Sequence, residues 1–127
     1  MRTVGRTLIG GGESSLSASE ASFLTAGEPR ELTLLHAAGK SDRQRGMQHF
    51  AHPGMVTRVI GSHWGLEPRW MAMINNNEVE AWCLPQGKIV HLYRAMAGGL
   101  PGRLSPVGLG TLVDPRIEGG RMKARTR

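Results

Sequence analysis

Short apolar runs recur along this chain, and each is separated from the next by residues of helical character and a glycine turn. The runs are Thr7-Leu8-Ile9, Leu32-Thr33-Leu34-Leu35-His36, Val56-Thr57-Arg58-Val59-Ile60 and Val79–Leu84. Each is too short for a helix of ordinary length. Leu32–His36 is apolar enough to be buried on both faces, and Val56–Ile60 is rich in β-branched residues. Strand, helix, strand, helix in one domain of 127 residues predicts βαβ units and a largely parallel α/β sheet of about four or five strands. Right-handed crossovers would place helices on both faces and gather the strand C-terminal ends along one edge.

The intervening segments carry matching signals. Ser14, Ser15 and Ser17 can cap a helix over about Leu16–Ala26, and Ser17 with Glu20 has capping-box spacing. Gly27 and Pro29 close that segment. Met47–His52 predicts a helical turn, ended by Pro53-Gly54. A helix over Glu67–Ile74 begins with Pro68 in its first turn and stops at Asn75-Asn76-Asn77. Ile89, Leu92, Tyr93 and Met96 mark one face of a helix over about Lys88–Ala97. Leu104–Gly108 reads as a fifth strand. Glycine supplies 18 of the 127 residues, with no collagen-like period. Tight turns between short elements explain that count.

The net charge of +6 suggests a nucleic-acid binder until its distribution is read. Arg121, Lys123, Arg125 and Arg127 carry four of those six charges, with no acid among the last seven residues. Residues 121–127 therefore read as a solvated basic tail, able to attract phosphates non-specifically and removable at little cost to folding. Interleaved aromatics and nucleic-acid motifs are missing, so no specific nucleic-acid partner is expected. A single cysteine, Cys83, makes no internal disulfide, which favours a reducing compartment. No apolar run approaches a membrane span, and the N-terminus lacks a secretory signal, so the expectation is a cytoplasmic protein with no membrane partner.

Three features bear on chemistry. Gly10-Gly11-Gly12 follows a strand and precedes a helix, where backbone N–H groups can face an anion. It matches neither a dinucleotide fingerprint nor a Walker loop, and a tight turn explains it equally. His49 and His52 have H-x-x-H spacing, with His36 and His63 elsewhere, but there is no H-E-x-x-H and no paired Cys. No metal is expected, and Cys83 inside an apolar strand reads as a small hydrophobe. Leu84-Pro85-Gln86-Gly87 is the third: proline stops the strand, glycine lets the backbone turn, and the Gln86 amide is left between strand and helix. A neutral amide there can donate to a carboxylate or thioester oxygen, though loop capping is the commoner role for such a residue.

Several separated motifs, taken together, resemble a known family. They are Gly27-Glu28-Pro29-Arg30 with Leu32–Gly39, and Val59-Ile60-Gly61-Ser62-His63-Trp64-Gly65-Leu66 with Pro68 close behind. Leu84-Pro85-Gln86-Gly87 follows, then Gly108-Leu109-Gly110-Thr111 and Val113-Asp114-Pro115-Arg116 with Glu118-Gly119-Gly120. In this order they resemble the α-type half of family I CoA transferases, in the acetate/propionate (acyl-CoA:acetate/3-ketoacid) branch, from about Thr7 to Thr126. The resemblance implies a Rossmann-like CoA-transferase fold. It also implies a reaction moving CoA from an acyl-CoA to a short-chain carboxylate such as acetate, propionate or a 3-keto acid, through a covalent glutamyl-CoA thioester. CoA would then be a substrate, with no further cofactor. The family's Pro-Gln-Gly turn, which holds the reacting carboxyl or thioester group, maps onto Gln86 and Gly87, and its glycine-rich turn onto Gly10, Gly11 and Gly12.

Two departures qualify that reading. The family's nucleophilic glutamate belongs to a β-type half, and no glutamate here, Glu13 and Glu20 included, sits in a comparable motif. The first glycine-rich stretch is altered, as Ile9-Gly10-Gly11-Gly12-Glu13. The chain accordingly reads as a single partial α-type domain over 1–127: a fragment, a split subunit or a decayed gene product. It would be inactive alone and would need a β-type half or a second copy of itself. The alternative is a catalytically inactive binding or assembly module.

Overall fold

A strand with leucines on both faces satisfies them only inside a sheet that is covered on two sides. Leu32–His36 occupies that place. The computed structural model describes residues 2–4, 7–10, 30–37 and 46–123. Among them, six strands form one sheet: β1 (Arg2–Val4), β2 (Thr7–Gly10), β3 (Leu32–His36), β4 (Val56–Gly61), β5 (Glu80–Cys83) and β6 (Arg121–Lys123). They follow one another across the sheet in chain order. β2 to β5 run parallel, and β1 and β6 are antiparallel edges. A 3-10 helix (Gly46–Phe50) lies between β3 and β4, α1 (Pro68–Asn75) between β4 and β5, and α2 (Gln86–Ala97) after β5.

The two faces of the sheet bury different sets of side chains. Leu34, Val59 and Ala81 stand in one row across β3, β4 and β5 and meet the 3-10 helix and α1 through Phe50, Trp70 and Ile74. Leu35 and Ile60, one residue further along, point the other way and pack with Ile89, Leu92, Tyr93 and Met96 of α2. The expected helices on both faces are therefore present, and the α2 stripe is the one its periodicity predicts. Val56 and Val59 are three residues apart yet buried on the same face. The register shifts between Leu32 and Thr33, leaving Thr57 as the extra residue of a β-bulge, and that restores both valines to the core.

α1 is anchored by Trp70, which is fully buried and donates its indole N–H to the Met47 carbonyl at 3.1 Å. Trp64 packs against it with ring centroids 6.2 Å apart. The asparagine run ends α1 as expected: Asn76 is the C-cap, and Asn77 takes a left-handed φ of 58° that asparagine tolerates better than most residues.

Three expectations need correction or lie elsewhere. Leu104–Gly108 is not a strand. Pro101 and Pro106 remove ladder donors, Gly108 turns at φ 95°, and Leu104 is 98% exposed. Arg121–Lys123 is not part of a free tail. It forms β6 against Ala81 and Trp82, with the Arg121 guanidinium 5.8 Å from the centre of the Trp82 ring. The helix expected over Leu16–Ala26 lies outside the described residues, as do Gly11 and Gly12.

Candidate functional site

Parallel strands end together, and here the shared end is a register row: Gly10 of β2, His36 of β3, Gly61 of β4 and Cys83 of β5. This is the edge at which the sequence places its glycine turns. Leu84 and Pro85 then lead directly into α2. Pro85, at φ −55° and ψ 131°, is the N-cap residue, and its carbonyl accepts from the N–H groups of Lys88 and Ile89. Gln86 is thus the first residue of the helix. Its exposed carboxamide makes no hydrogen bond to any described residue, and α2 has no side-chain cap. The capping role open to Gln86 from its sequence is not the one it takes.

Gly87 corrects the sequence reading in a different way. It has ordinary helical backbone, and a Cβ built on it meets nothing within 4 Å. The turn is made by Pro85, and what Gly87 leaves beside Gln86 is open space.

Opposite Gln86 stands a loop without regular structure that sequence reasoning does not assemble. Its fixed point is Asp114, a buried carboxylate that accepts from the Gly110 N–H at 2.7 Å, the Arg116 N–H at 3.0 Å and the Arg116 guanidinium at 3.0 and 2.6 Å. The Arg116 guanidinium, with the two backbone donors, holds the Asp114 carboxyl far below the usual carboxylate range. The loop is tied to the sheet at Gly120, whose carbonyl accepts from Cys83 N–H at 2.6 Å and whose N–H donates to the Leu112 carbonyl at 2.8 Å. Gly120 has φ 81°, and a Cβ there would lie 2.1 Å from the Cys83 carbonyl oxygen, so only glycine fits.

Loop and helix start enclose an open cleft of about 420 Å³, lined by Ser62, Cys83, Gln86, Gly108, Thr111 and Val113 among others. Its walls are mostly apolar, and Gln86 supplies a free amide at one side. Among the described residues no carboxylate lines it. Ser62 is occupied, its hydroxyl donating to the Ala37 carbonyl. Cys83 donates to the Ser62 carbonyl at 3.2 Å, and burial pushes its thiol pKa up, which keeps it protonated and poorly nucleophilic. His36, buried in the same register row, is lowered to about 4 by desolvation and is therefore neutral at pH 7. Among the described residues no three His, Cys, Asp or Glu side chains converge as a metal site. Among them, too, no helix is long and apolar enough to cross a membrane. Among the described residues, what the cleft offers is one hydrogen-bonding amide in an apolar setting, with no activated nucleophile.

Comparison with known proteins gives this geometry a family. The profile described as "Coenzyme A transferase" matches residues 5–126. The caffeate CoA-transferase of Acetobacterium woodii is 37% identical over 123 residues, which is 96% of this chain and 24% of that protein. The acetate CoA-transferase subunit alpha of Escherichia coli K12 is 33% identical over 67% of this chain and 38% of that subunit. A crystal structure of the acyl-CoA transferase YdiF from E. coli O157:H7, in a thioester complex with CoA, superposes with a TM-score of 0.80 at 34% identity. It covers 95% of this chain and 25% of that one. The chain thus spans about a quarter of the length of the relatives it matches almost end to end.

Proposed function

Because the chain belongs to the coenzyme A transferase family, we propose that it supplies the α-type wall of a CoA-transfer site. In this reading Gln86 donates its amide to the carboxyl or thioester oxygen at the reacting carbon, and Gly87 leaves room for that group. Gly10, at the end of β2, is proposed to add a backbone donor, and Gly11 and Gly12, proposed with it, lie outside the described residues. The observation that carries the proposal is the Gln86 carboxamide at the strand-to-helix junction, facing a cleft where, among the described residues, it has no partner and no carboxylate.

The missing nucleophile is a glutamate from a β-type half. Its carboxylate attacks the acyl-CoA carbonyl, expelling CoA thiolate and forming an acyl-glutamyl anhydride. The thiolate then attacks the glutamyl carbonyl, releasing the first carboxylate and leaving a glutamyl-CoA thioester. A second carboxylate, short-chain in this proposal, runs the same steps in reverse and leaves as its CoA ester. Each addition puts negative charge on a carbonyl oxygen, and an amide already in place stabilises it without reorganising. The partner is the β-type half, in keeping with the alpha-subunit name of one relative. Cys83, a free thiol, suits the reducing cytoplasm in which we place the protein.

The test is reconstitution. The chain alone, incubated with acyl-CoA and weighed intact, should gain no CoA adduct. With a β-type half added, acyl transfer should appear, and Gln86→Ala should lower its rate by about 10²–10³-fold, as for one lost oxyanion donor. The exposed position means that the variant should fold normally. Unchanged turnover would remove Gln86 from the mechanism, and an adduct on a glutamate of the isolated chain would refute the partner requirement.

A further inference from the structure

A second cleft, of about 300 Å³, adjoins the first and shares Pro85 and Val107 with it. Its walls combine apolar Leu104, Pro106 and Val107 with Lys88, His91 and Arg103. Among the described residues no acid lines it, and none of these three side chains forms a salt bridge. Asp114, whose carboxylate is bridged by Arg116, also feels the Lys88 charge at longer range without pairing with it. Lys88 stands where the clefts meet: a Cβ on Gly108, which lines the first cleft, would lie 3.6 Å from Lys88 Nζ. Ser105 lines the second cleft, and its oxygen accepts from Val107 N–H at 3.2 Å, which leaves the hydroxyl proton to donate outward.

Two cations, an imidazole and a hydroxyl around one partly apolar hollow make a receptor for an oxyanion, since hydrogen bonds from charged donors to an anion are the strong ones. We propose that Lys88, His91 and Arg103 form an oxyanion site that holds a phosphate or carboxylate group of the ligand whose reacting end reaches Gln86. The separation is short: five residues of helix from Gln86 to His91 are roughly 7.5 Å. The group is therefore either a second carboxylate on a short acyl chain or a phosphate of CoA folded back over the Pro85 turn. The inference rests on the CoA-transfer reading for its choice of ligand.

Titration calorimetry on the full chain separates the cases, with pyrophosphate, CoA, 3′-dephospho-CoA, succinate and butyrate as probes. Lys88→Met and Arg103→Met should each weaken the bound oxyanion about tenfold, the size of one lost charge-assisted contact. Arg94→Met, an exposed cation on α2 outside the cleft, should change nothing. A loss confined to CoA and pyrophosphate identifies phosphate as the source, with 3′-dephospho-CoA locating it. A loss for succinate with butyrate unaffected identifies a second carboxylate. Folded Lys88 and Arg103 variants that bind every probe as wild type does would overturn the oxyanion site while leaving CoA transfer standing. Lys88-dependent binding of pyrophosphate or succinate, with no CoA or acyl-CoA bound even beside a β-type half, would support the site and refute the CoA reading.

Discussion

His36 makes the stability of this chain depend on pH in a way that isolates one residue. It is 2% exposed at the C-terminal end of β3, and its Nδ1 has no partner among the described residues. Burial disfavours the imidazolium and lowers its pKa from 6.5 to about 4. The unfolded chain therefore binds a proton between these values while the folded one does not. Stability is fully present above pH 6.5 and falls as the pH drops towards 4, the direction expected for a depressed folded-state pKa. The whole shift corresponds to about 3 kcal/mol, of which about 1.2 kcal/mol is lost between pH 7 and 5.5. With a urea m-value near 1.5 kcal/mol/M, that moves the midpoint by about 0.8 M. Urea titrations at the two pH values, on wild type and His36→Gln, supply the comparison. Exposed histidines and carboxylates contribute alike to both proteins and cancel. The variant should lose this part of the pH dependence. Equal slopes within about 0.3 kcal/mol would refute the claim that desolvation of His36 drives the change.

Two substitutions test the packing beneath the site. Trp70→Ala removes a fully buried indole and leaves the Met47 carbonyl without its donor, so it should cost about 3–5 kcal/mol, read as a fall in Tm or in urea midpoint. Gly120→Ala forces a Cβ onto the Cys83 carbonyl at a left-handed φ and should cost about 3 kcal/mol or more, with the 106–120 loop opening to limited proteolysis before the sheet unfolds.

Local chemistry made some elements legible and left others out of reach. β3, β4 and β5 could be read because apolar and β-branched runs of that length have few alternatives, and α2 because Ile89, Leu92, Tyr93 and Met96 repeat at helical spacing. β1 and β6 could not. Each is three residues long and charged, as edge strands commonly are, and Arg121–Lys123 carries the same residues as a solvated tail. The consequence is concrete: removing residues 121–127 uncovers Trp82 and strips an edge from β5, so it should lower Tm rather than leave it unchanged.

The site divides along the same line. The position of Gln86 at the strand-to-helix junction is legible because its environment is local: a proline stops a strand and a helix begins. The opposite wall is held by contacts that span sequence. Gly120 meets Cys83, 37 residues earlier in the chain, and Gly108 approaches Lys88 from a loop that Asp114 holds through Gly110 and Arg116. No periodicity encodes such closure. Lys88, His91 and Arg103 illustrate the difference, since two of them share a helix face by spacing while the third arrives through the fold of the loop. A charge at position 103 acquires a function only if that loop is pinned. Gly120→Ala should therefore weaken oxyanion binding in the second cleft even though no atom of Gly120 lines it.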